Sequence, residues 1–449
     1  MKTKYISTLL LAWICLSANS QEALPDSSEQ LTLQKAVEIA MVNNYDIKIA
    51  SGELQKAQNL NSAGNAGLLP SVSLSGGADY SNKDTEMELL SQGSDGSASS
   101  VIIEQDNAAS TTYNANARID YTLFDGFGNI YTYKKLQSAD ALQETIFRQQ
   151  TEATIVQVAQ EYYQVCRSQQ NLHLAKESMR ISRERWQKAI DQKAYGQATQ
   201  LDVLNAEVDM NNDSTTVLQT EQAFIQSLKN LNLVLGIPIQ SSYEVDNSIS
   251  YRDDLTADNV IAGALMNNAR LVAQQQQEQI SEFDVKIANA GKYPTLSAYG
   301  QYGYYRQDND AGQLLYNQNL GTTAGVSLKF NVFNGSQQRT REKNAKLDFI
   351  NQQERTYQVK SEIERDASNA YTDYIYKRRI VELQKSSLEQ ARLNFEQTQE
   401  LFQLGRVTSI EFRTAQQNLL KVAANYNDAQ FQAKTAEFYL LQLTGQLVQ

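Results

Sequence analysis

The chain has 449 residues and carries 40 Lys and Arg against 51 Asp and Glu, a formal net charge of −11. That acidic balance argues against nucleic acid and anionic lipid headgroups as partners. Two cysteines and one histidine supply no metal cluster, and no nucleophile–base pair or phosphate loop is visible, so neither an enzyme nor a cofactor is expected.

The first twenty residues read as an export signal. Lys2 and Lys4 precede an apolar run from Ile6 to Leu16, and Ala18-Asn19-Ser20 form a small-residue cleavage site before Gln21. The run is too short for a permanent spanning helix. Ile14 is bulky where an acylated signal needs a small residue before the cysteine, so lipid attachment at Cys15 is not expected. Export would remove both lysines, leaving 38 of the 40 basic residues against 51 acidic ones, a net charge of −13. It would also leave Cys166 alone, without an intrachain disulfide. No later stretch of 18 apolar residues exists, so any membrane crossing must use a closed β-barrel.

From Leu31 onward the chain is written twice. Leu31-Thr32, Asn43-Asn44, Gly67 and Pro70 recur 224 residues later as Leu255-Thr256, Asn267-Asn268, Gly291 and Pro294. Phe124, Gly126, Gly196, Thr199, Ala206 and Gly236 recur 209 residues later as Phe333, Gly335, Gly405, Thr408, Ala415 and Gly445. Two offsets differing by 15 imply two copies of one unit, about 31–236 and 255–445. The single length change lies between Pro70 and Phe124.

Each copy predicts helix, strand, strand, long helix, turn, shorter helix. The first copy places helices over Leu31–Leu68, Asn129–Ala194 and Thr199–Leu235. The long one, of roughly 66 residues, would reach ~100 Å. Between Gly128 and Gly236, and again after Gly335, there is no proline, and helix formers dominate. Val158, Val165, Leu172, Met179 and Trp186 recur every seven residues, and 209 residues later the same line reads Ala367, Tyr374, Val381, Leu388 and Phe395. That period marks a coiled-coil seam.

The hairpins, about 70–124 and 294–333, have different chemistry. Tyr113, Ala115, Ala117, Ile119, Tyr121 and Leu123 alternate with Asn114, Asn116, Arg118, Asp120 and Thr122. Ala324, Val326, Leu328, Phe330 and Val332 alternate in the same way with Gly325, Ser327, Lys329 and Asn331. A period of two over about ten residues predicts membrane strands, apolar toward lipid and polar toward a lumen. Partner strands begin at Pro70 and Pro294. A Ser- and Gly-rich loop is expected over Ser81–Ser110, and a loop about half as long over Gln307–Leu320. Tyr80, Tyr113, Tyr121, Tyr293, Tyr299, Tyr302, Tyr304 and Tyr305 suit an aromatic girdle at a lipid boundary. Four strands cannot enclose an open polar interior, so several chains must pool theirs.

The signal, the duplicated layout, Pro70 and Pro294 entering hairpins, and strand ends Leu123-Phe124-Asp125-Gly126 and Val332-Phe333-Asn334-Gly335 together resemble the outer membrane efflux protein family, whose members are TolC-like. The resemblance covers the chain after the signal. It implies a mixed α+β membrane protein: a homotrimer with a twelve-stranded outer-membrane β-barrel, four strands per chain, continued by a periplasmic coiled-coil α-barrel. It further implies a Gram-negative outer-membrane exit duct for efflux or type I secretion, partnered by a periplasmic adaptor (membrane fusion protein) and an inner-membrane transporter. By the same resemblance Gly236–Asp254 and the end near Gly445–Gln449 would form an equatorial belt. An exported periplasmic coiled-coil scaffold is the alternative reading, and cargo is not legible.

Candidate sites follow from position. Gly196 and Gly405 just past the long helices predict left-handed caps, with Thr199 and Thr408 capping the next helices. The resemblance makes these turns the periplasmic tips, with Gly196, Gln197, Ala198, Gly405, Arg406 and Val407 as adaptor-docking residues. Asp202 and Glu411 occupy equivalent places. In a trimer they would set six carboxylates at one height, raising one another's pKa and favouring cations; alternatively each only stabilises a helix N-terminus. The family's acidic rings resemble a Leu-Asp-Val-Leu-Asp-Ala pattern, but Asn205 and Thr414 stand where a second acidic residue would. Tyr195, with Arg406, is a candidate latch between helices at the tip. His173 and Cys166 are expected to be structural.

Overall fold

A computed structural model describes residues 30–92, 98–310 and 314–447; the expected signal and the stretch Ser94–Ser97 lie outside them. The elements are α1 (Leu33–Asn43), α2 (Tyr45–Leu60), β1 (Ser71–Gln92), β2 (Ala98–Phe124), α3 (Gly128–Ala194), α4 (Gln200–Leu235), α5 (Ala257–Asn267), α6 (Ala269–Ala290), β3 (Thr295–Asn309), β4 (Tyr316–Lys329), α7 (Gln337–Gln403) and α8 (Ser409–Leu443). The order helix, helix, strand, strand, helix, helix therefore runs twice. Both α3 and α7 have 67 residues. Among the described residues no helix is long and apolar enough to cross a membrane.

One expected helix is two. The predicted helix from Leu31 breaks at Asn44, and the corresponding helix breaks at Asn268. Both asparagines leave the helical region, with ψ of 134° and 119°. Each is buried and donates its side-chain amide to the last turn of a distant helix: Asn44 Nδ2 to the Val234 carbonyl at 2.7 Å, Asn268 Nδ2 to the Leu443 carbonyl at 2.9 Å. Asn268 also accepts from the amides of Arg270 and Leu271, starting α6. A side chain that satisfies orphan groups of two helices outweighs one continued helical turn.

Glycines close the same clasp. Gly236 and Gly445 hold φ of +70° and +65°, and an added Cβ would strike the carbonyl oxygens of Asn43 and Asn267. Only glycine meets both conditions at those helix ends.

Two compact units divide the chain. The first holds Ile155–Tyr251, Lys377–Thr435 and the described residues up to Asn44. In it Leu31 pairs with Val245, and the Tyr162 hydroxyl lies 2.8 and 2.9 Å from the carbonyls of Leu31 and Asp246. The second unit holds Tyr45–Thr154, Arg252–Tyr376 and the chain from Ala436. Its core packs Val260, Ala264, Leu271, Ile363, Ala367, Tyr374 and Leu440. The heptad line is buried or half-buried throughout, from Val158 and Val165 to Phe395. A period of 3.5 thus reads out the inward face of both long helices.

The sheet is antiparallel in the order β1-β2-β3-β4. Its register aligns the alternation from edge to edge. Leu74 stands opposite Ala117 and Ala117 opposite Tyr302; Tyr121 stands opposite Ala298 and Ala298 opposite Val326. On the other face Ser73, Arg118, Gln301 and Thr323 share a row. A slip of one residue would mix the two faces. Tyr302 and Tyr304 lie on the apolar face as the girdle reading requires. Tyr299 and Tyr305 do not: they pair with Asp120 and Asn114 on the polar face, where the Arg118 guanidinium sits 4.7 Å from the Tyr299 ring.

The expected loop over Ser81–Ser110 is mostly strand. Pairing continues from Ser81↔Ser110 to Gln92↔Ala98, so the longer first hairpin differs in strand length, not loop length. A bulge between Lys83 and Thr85 is anchored by the Asn107 amide donating to Asp84 Oδ1 at 2.8 Å. Beyond it Met87 faces Ile103 and Leu89 faces Val101, cross-strand apolar pairs that hold a hairpin together among polar neighbours.

Replacing either buried asparagine should therefore destabilise the protein. Asn44→Ala or Asn268→Ala is expected to cost about 1–3 kcal/mol, because helix-end carbonyls lose their donor. The exposed Asn267→Ala should stay within about 0.5 kcal/mol. Denaturant unfolding midpoints compare the three.

Candidate functional site

The turns joining α3 to α4 and α7 to α8 are built alike. Gln197 donates its amide to the Gln192 carbonyl at 2.8 Å, and Gly196 to that of Lys193 at 3.0 Å. Arg406 and Gly405 repeat the pattern to Leu401 and Phe402 at 2.8 and 3.2 Å. These paired bonds end each long helix with a left-handed residue, φ +72° at both glycines. No atom lies within 4 Å of an added Cβ at either position, so backbone twist alone demands glycine here.

The next helices start with capping boxes. The Asp202 amide donates to Thr199 Oγ1 at 3.2 Å, while Asp202 Oδ2 accepts from the Thr199 amide at 2.8 Å and its hydroxyl at 2.7 Å. Glu411 and Thr408 do the same at 3.2, 2.7 and 2.9 Å. Hydrogen bonds from the Thr199 hydroxyl and then its amide hold the Asp202 carboxyl below the ordinary range. The Thr408 amide and then its hydroxyl do so for Glu411. Within one chain both groups are thus helix-capping carboxylates that stay ionised.

The remaining predicted positions surround these turns. Gln197, Arg406, Asn205 and Thr414 are exposed, and Ala198 and Val407 are half-buried. The Thr414 hydroxyl donates back to the Ile410 carbonyl at 2.9 Å. Tyr195 is 81% exposed, and neither it nor Arg406 reaches a partner side chain among the described residues, so no latch forms within the chain. His173 is exposed. Cys166 is fully buried and its thiol is pushed up by burial to about 12, which suits packing and not nucleophilic chemistry. Among the described residues no acidic, histidine or cysteine cluster could hold a metal.

Behind the turns lies a group the sequence reading missed. The Arg413 guanidinium on α8 makes a two-pronged pair with Asp213 on α4, at 2.6 and 2.7 Å. Asp213 also accepts from the hydroxyls of Ser182 at 2.5 Å and Ser178 at 3.1 Å on α3. Gln416 donates to the Ser178 carbonyl at 3.0 Å, and Arg185 pairs with Asp209. Burial alone would raise the Asp213 carboxyl, but Arg413 and the serines outweigh it and leave it low. Removing one member of such a buried pair costs about 3–5 kcal/mol, whereas replacing the whole by apolar groups is often neutral. An apolar pair of clusters flanks it: Ile181, Phe395, Phe412 and Ala415, and Ala189, Val203 and Ala206. The available signal was a mismatch in the duplication, since Arg413 corresponds to Leu204.

Comparison with known proteins fits this architecture. The profile described as outer membrane efflux protein matches residues 36–237 and 260–446. The protease secretion protein PrtF of Dickeya chrysanthemi is 23% identical over 322 residues, 69% of this chain and 65% of that protein, just under two thirds of its length. Outer membrane protein TolC of Vibrio cholerae is 20% identical over 318 residues, 70% of this chain and 72% of that protein. Among solved structures, the Vibrio cholerae outer membrane protein VceC superimposes with a TM-score of 0.72 at 16% identity, covering 92% of this chain and 96% of that one. The Neisseria gonorrhoeae MtrE outer membrane channel gives 0.72 at 14%, covering 92% and 89%. At these identities the structures speak for the fold, which is TolC-like, with four antiparallel strands per chain. The two matched stretches together span well over half of the chain, and the chain belongs to the outer membrane efflux protein family.

Proposed function

We propose that the protein is the outer-membrane exit duct of a tripartite efflux or type I secretion system. It acts as a homotrimer built from two structural repeats per chain, and moves solutes passively. The observation that carries this reading is the sheet: one face is apolar across all four strands, and β1 and β4 have no outer partner among the described residues. Unpaired strand edges are forbidden in hydrocarbon, so copies must join β4 to β1 until the ring closes. Three copies give twelve strands around a polar lumen. The tips around Gly196, Gln197, Ala198, Gly405, Arg406 and Val407 meet a periplasmic adaptor, which links the duct to an inner-membrane transporter. A periplasmic scaffold would have no use for a strand face of exposed Leu74, Val326 and Leu328.

The tip carboxylates Asp202 and Glu411 form a six-membered acidic ring in the trimer and set cation selectivity, with Tyr195, Asn205 and Thr414 around it. Their capping bonds oppose the mutual repulsion of the ring and keep it charged.

Three outcomes test the reading. Val326→Lys, on the apolar face, should cost about 2–4 kcal/mol of membrane stability and abolish the heat-sensitive oligomer band, while Ser327→Lys on the polar face keeps it. Loss of neither, or of both, would remove the membrane-barrel assignment. Asp202→Asn with Glu411→Gln should shift the reversal potential in planar bilayers toward no cation preference; an unchanged potential ends the gate role. The pH dependence follows from the lowered carboxyls. Their charge is complete above the ordinary carboxylate range and is lost only as pH falls through the depressed values, so cation selectivity should hold from about pH 7 to about pH 5. A decline inside that window would mean that ring repulsion dominates.

A further inference from the structure

The first hairpin runs on past the second as a two-stranded ribbon. Pairing of β2 with β3 stops at Ser110↔Asn309, whereas β1 and β2 stay paired as far as Gln92↔Ala98. At the base of the ribbon lies the bulge, where the step from Lys83 to Thr85 on β1 faces the longer step from Ala108 to Gln105 on β2. Asn107 takes φ +56° there to absorb the difference. On β1 the alternation passes through unbroken, so the polar row of Ser73, Ser81 and Lys83 continues as Thr85, Met87 and Leu89. Met87 and Leu89 stand opposite Ile103 and Val101, so the face that is polar below the bulge is apolar above it. The other face changes in the opposite sense. Below the bulge it carries Val72, Leu74 and Tyr80; above it Glu86 stands directly opposite Glu104, with Glu88 next along the row. Like charges directly opposed cost stability unless water screens them, so this face is solvated, and Leu90 and Ile102 stand singly on it. The second hairpin has no such inversion: its polar row runs to its end through Tyr305↔Asn319 and Gln307↔Asn317.

Within one chain the apolar row is left open: Met87, Leu89 and Val101 are 41%, 38% and 48% exposed. The ring proposed above says what covers it. There the polar face looks to the lumen, so the same row carried past the bulge turns its apolar side chains toward the axis. Twelve strands about 4.8 Å apart and tilted about 40° make a ring of roughly 12 Å radius. The segment Thr85–Gln92 spans ~26 Å at about 3.3 Å per residue, enough to reach that axis once the bulge bends it inward. We propose that the ribbons of the three copies meet through Met87, Leu89, Val101 and Ile103, an apolar contact between copies that narrows the outer mouth of the duct. The contact draws on the hydrophobic effect, while the carboxylates of the opposite face stay in water. Cargo can part such a contact without stranding a buried charge. The inference rests on the oligomeric duct reading.

The test uses the full-length protein with Cys166→Ala, in intact cells. After treatment with a short bis-maleimide, Leu89→Cys should give a dimer of chains on denaturing gels, whereas Leu90→Cys on the acidic face should not. A second measurement reads the mouth itself. Thr323→Cys places a thiol on the polar face of β4, and its rate of labelling by a bulky, membrane-impermeant maleimide reports access from outside. Met87→Ser with Leu89→Ser should raise that rate several-fold, and Leu90→Ser should leave it unchanged. The heat-sensitive oligomer band shows that each variant has assembled. With that band intact, no Leu89→Cys dimer, dimers from both cysteines, or a labelling rate unmoved by the two serines overturns the contact alone. If the oligomer band is missing from the unsubstituted protein as well, the duct reading itself fails and the contact falls with it.

Discussion

The open edges of the sheet are the constraint on which the rest depends. Every strand carries a row of amide donors and carbonyl acceptors, and in hydrocarbon each must find a partner. Where all four strands run side by side, over Ser110–Asp120 of β2, the inner strands β2 and β3 are paired on both sides and the burden falls on β1 and β4. The alternation in register across four strands gives the sheet one apolar and one polar face, which in the proposed ring meet lipid and lumen respectively. In the proposed ring the helices inherit the symmetry of the strands, and the duplicated order supplies each copy with two equivalent sets.

At the helix ends a second rule operates. Helix termini leave backbone groups unpaired, and this protein meets that need with a small set of devices used twice. Asn44 and Asn268 each break one helix and donate to the end of another; Gly236 and Gly445 allow the close approach. Thr199 with Asp202 and Thr408 with Glu411 start the helices after the turns. The carboxylates that a selectivity ring would need are the ones the caps hold ionised, so structure and the proposed function place no conflicting demand on them. Charge at a helix start is favourable in one chain, and the proposed ring adds a use for it.

The recurring sequence is not identical around the turns that follow the long helices. Here Asp213 and Arg413 form a buried pair between α4 and α8, while the positions 209 residues away, Val422 and Leu204, are apolar. Buried polar groups add little net stability, but they penalise wrong registers heavily.

Much of the molecule was legible in its residues because periodicity is a local property. The seven-residue line identified Val158 to Phe395 as the inward face, alternation identified Tyr113 to Leu123 as a strand with two unlike faces, and constant offsets paired Gly196 with Gly405. What tertiary structure alone decided were matters of partnership. The break at Asn44 depends on a carbonyl at Val234, and the strand pairing beyond Ser81 depends on Met87 meeting Ile103. The placement of Tyr299 on the polar face follows from register, and the Arg413 cluster from three helices converging. A residue's own sequence neighbourhood sets its helix or strand propensity; which distant group it can satisfy is known only once the chain has folded back on itself.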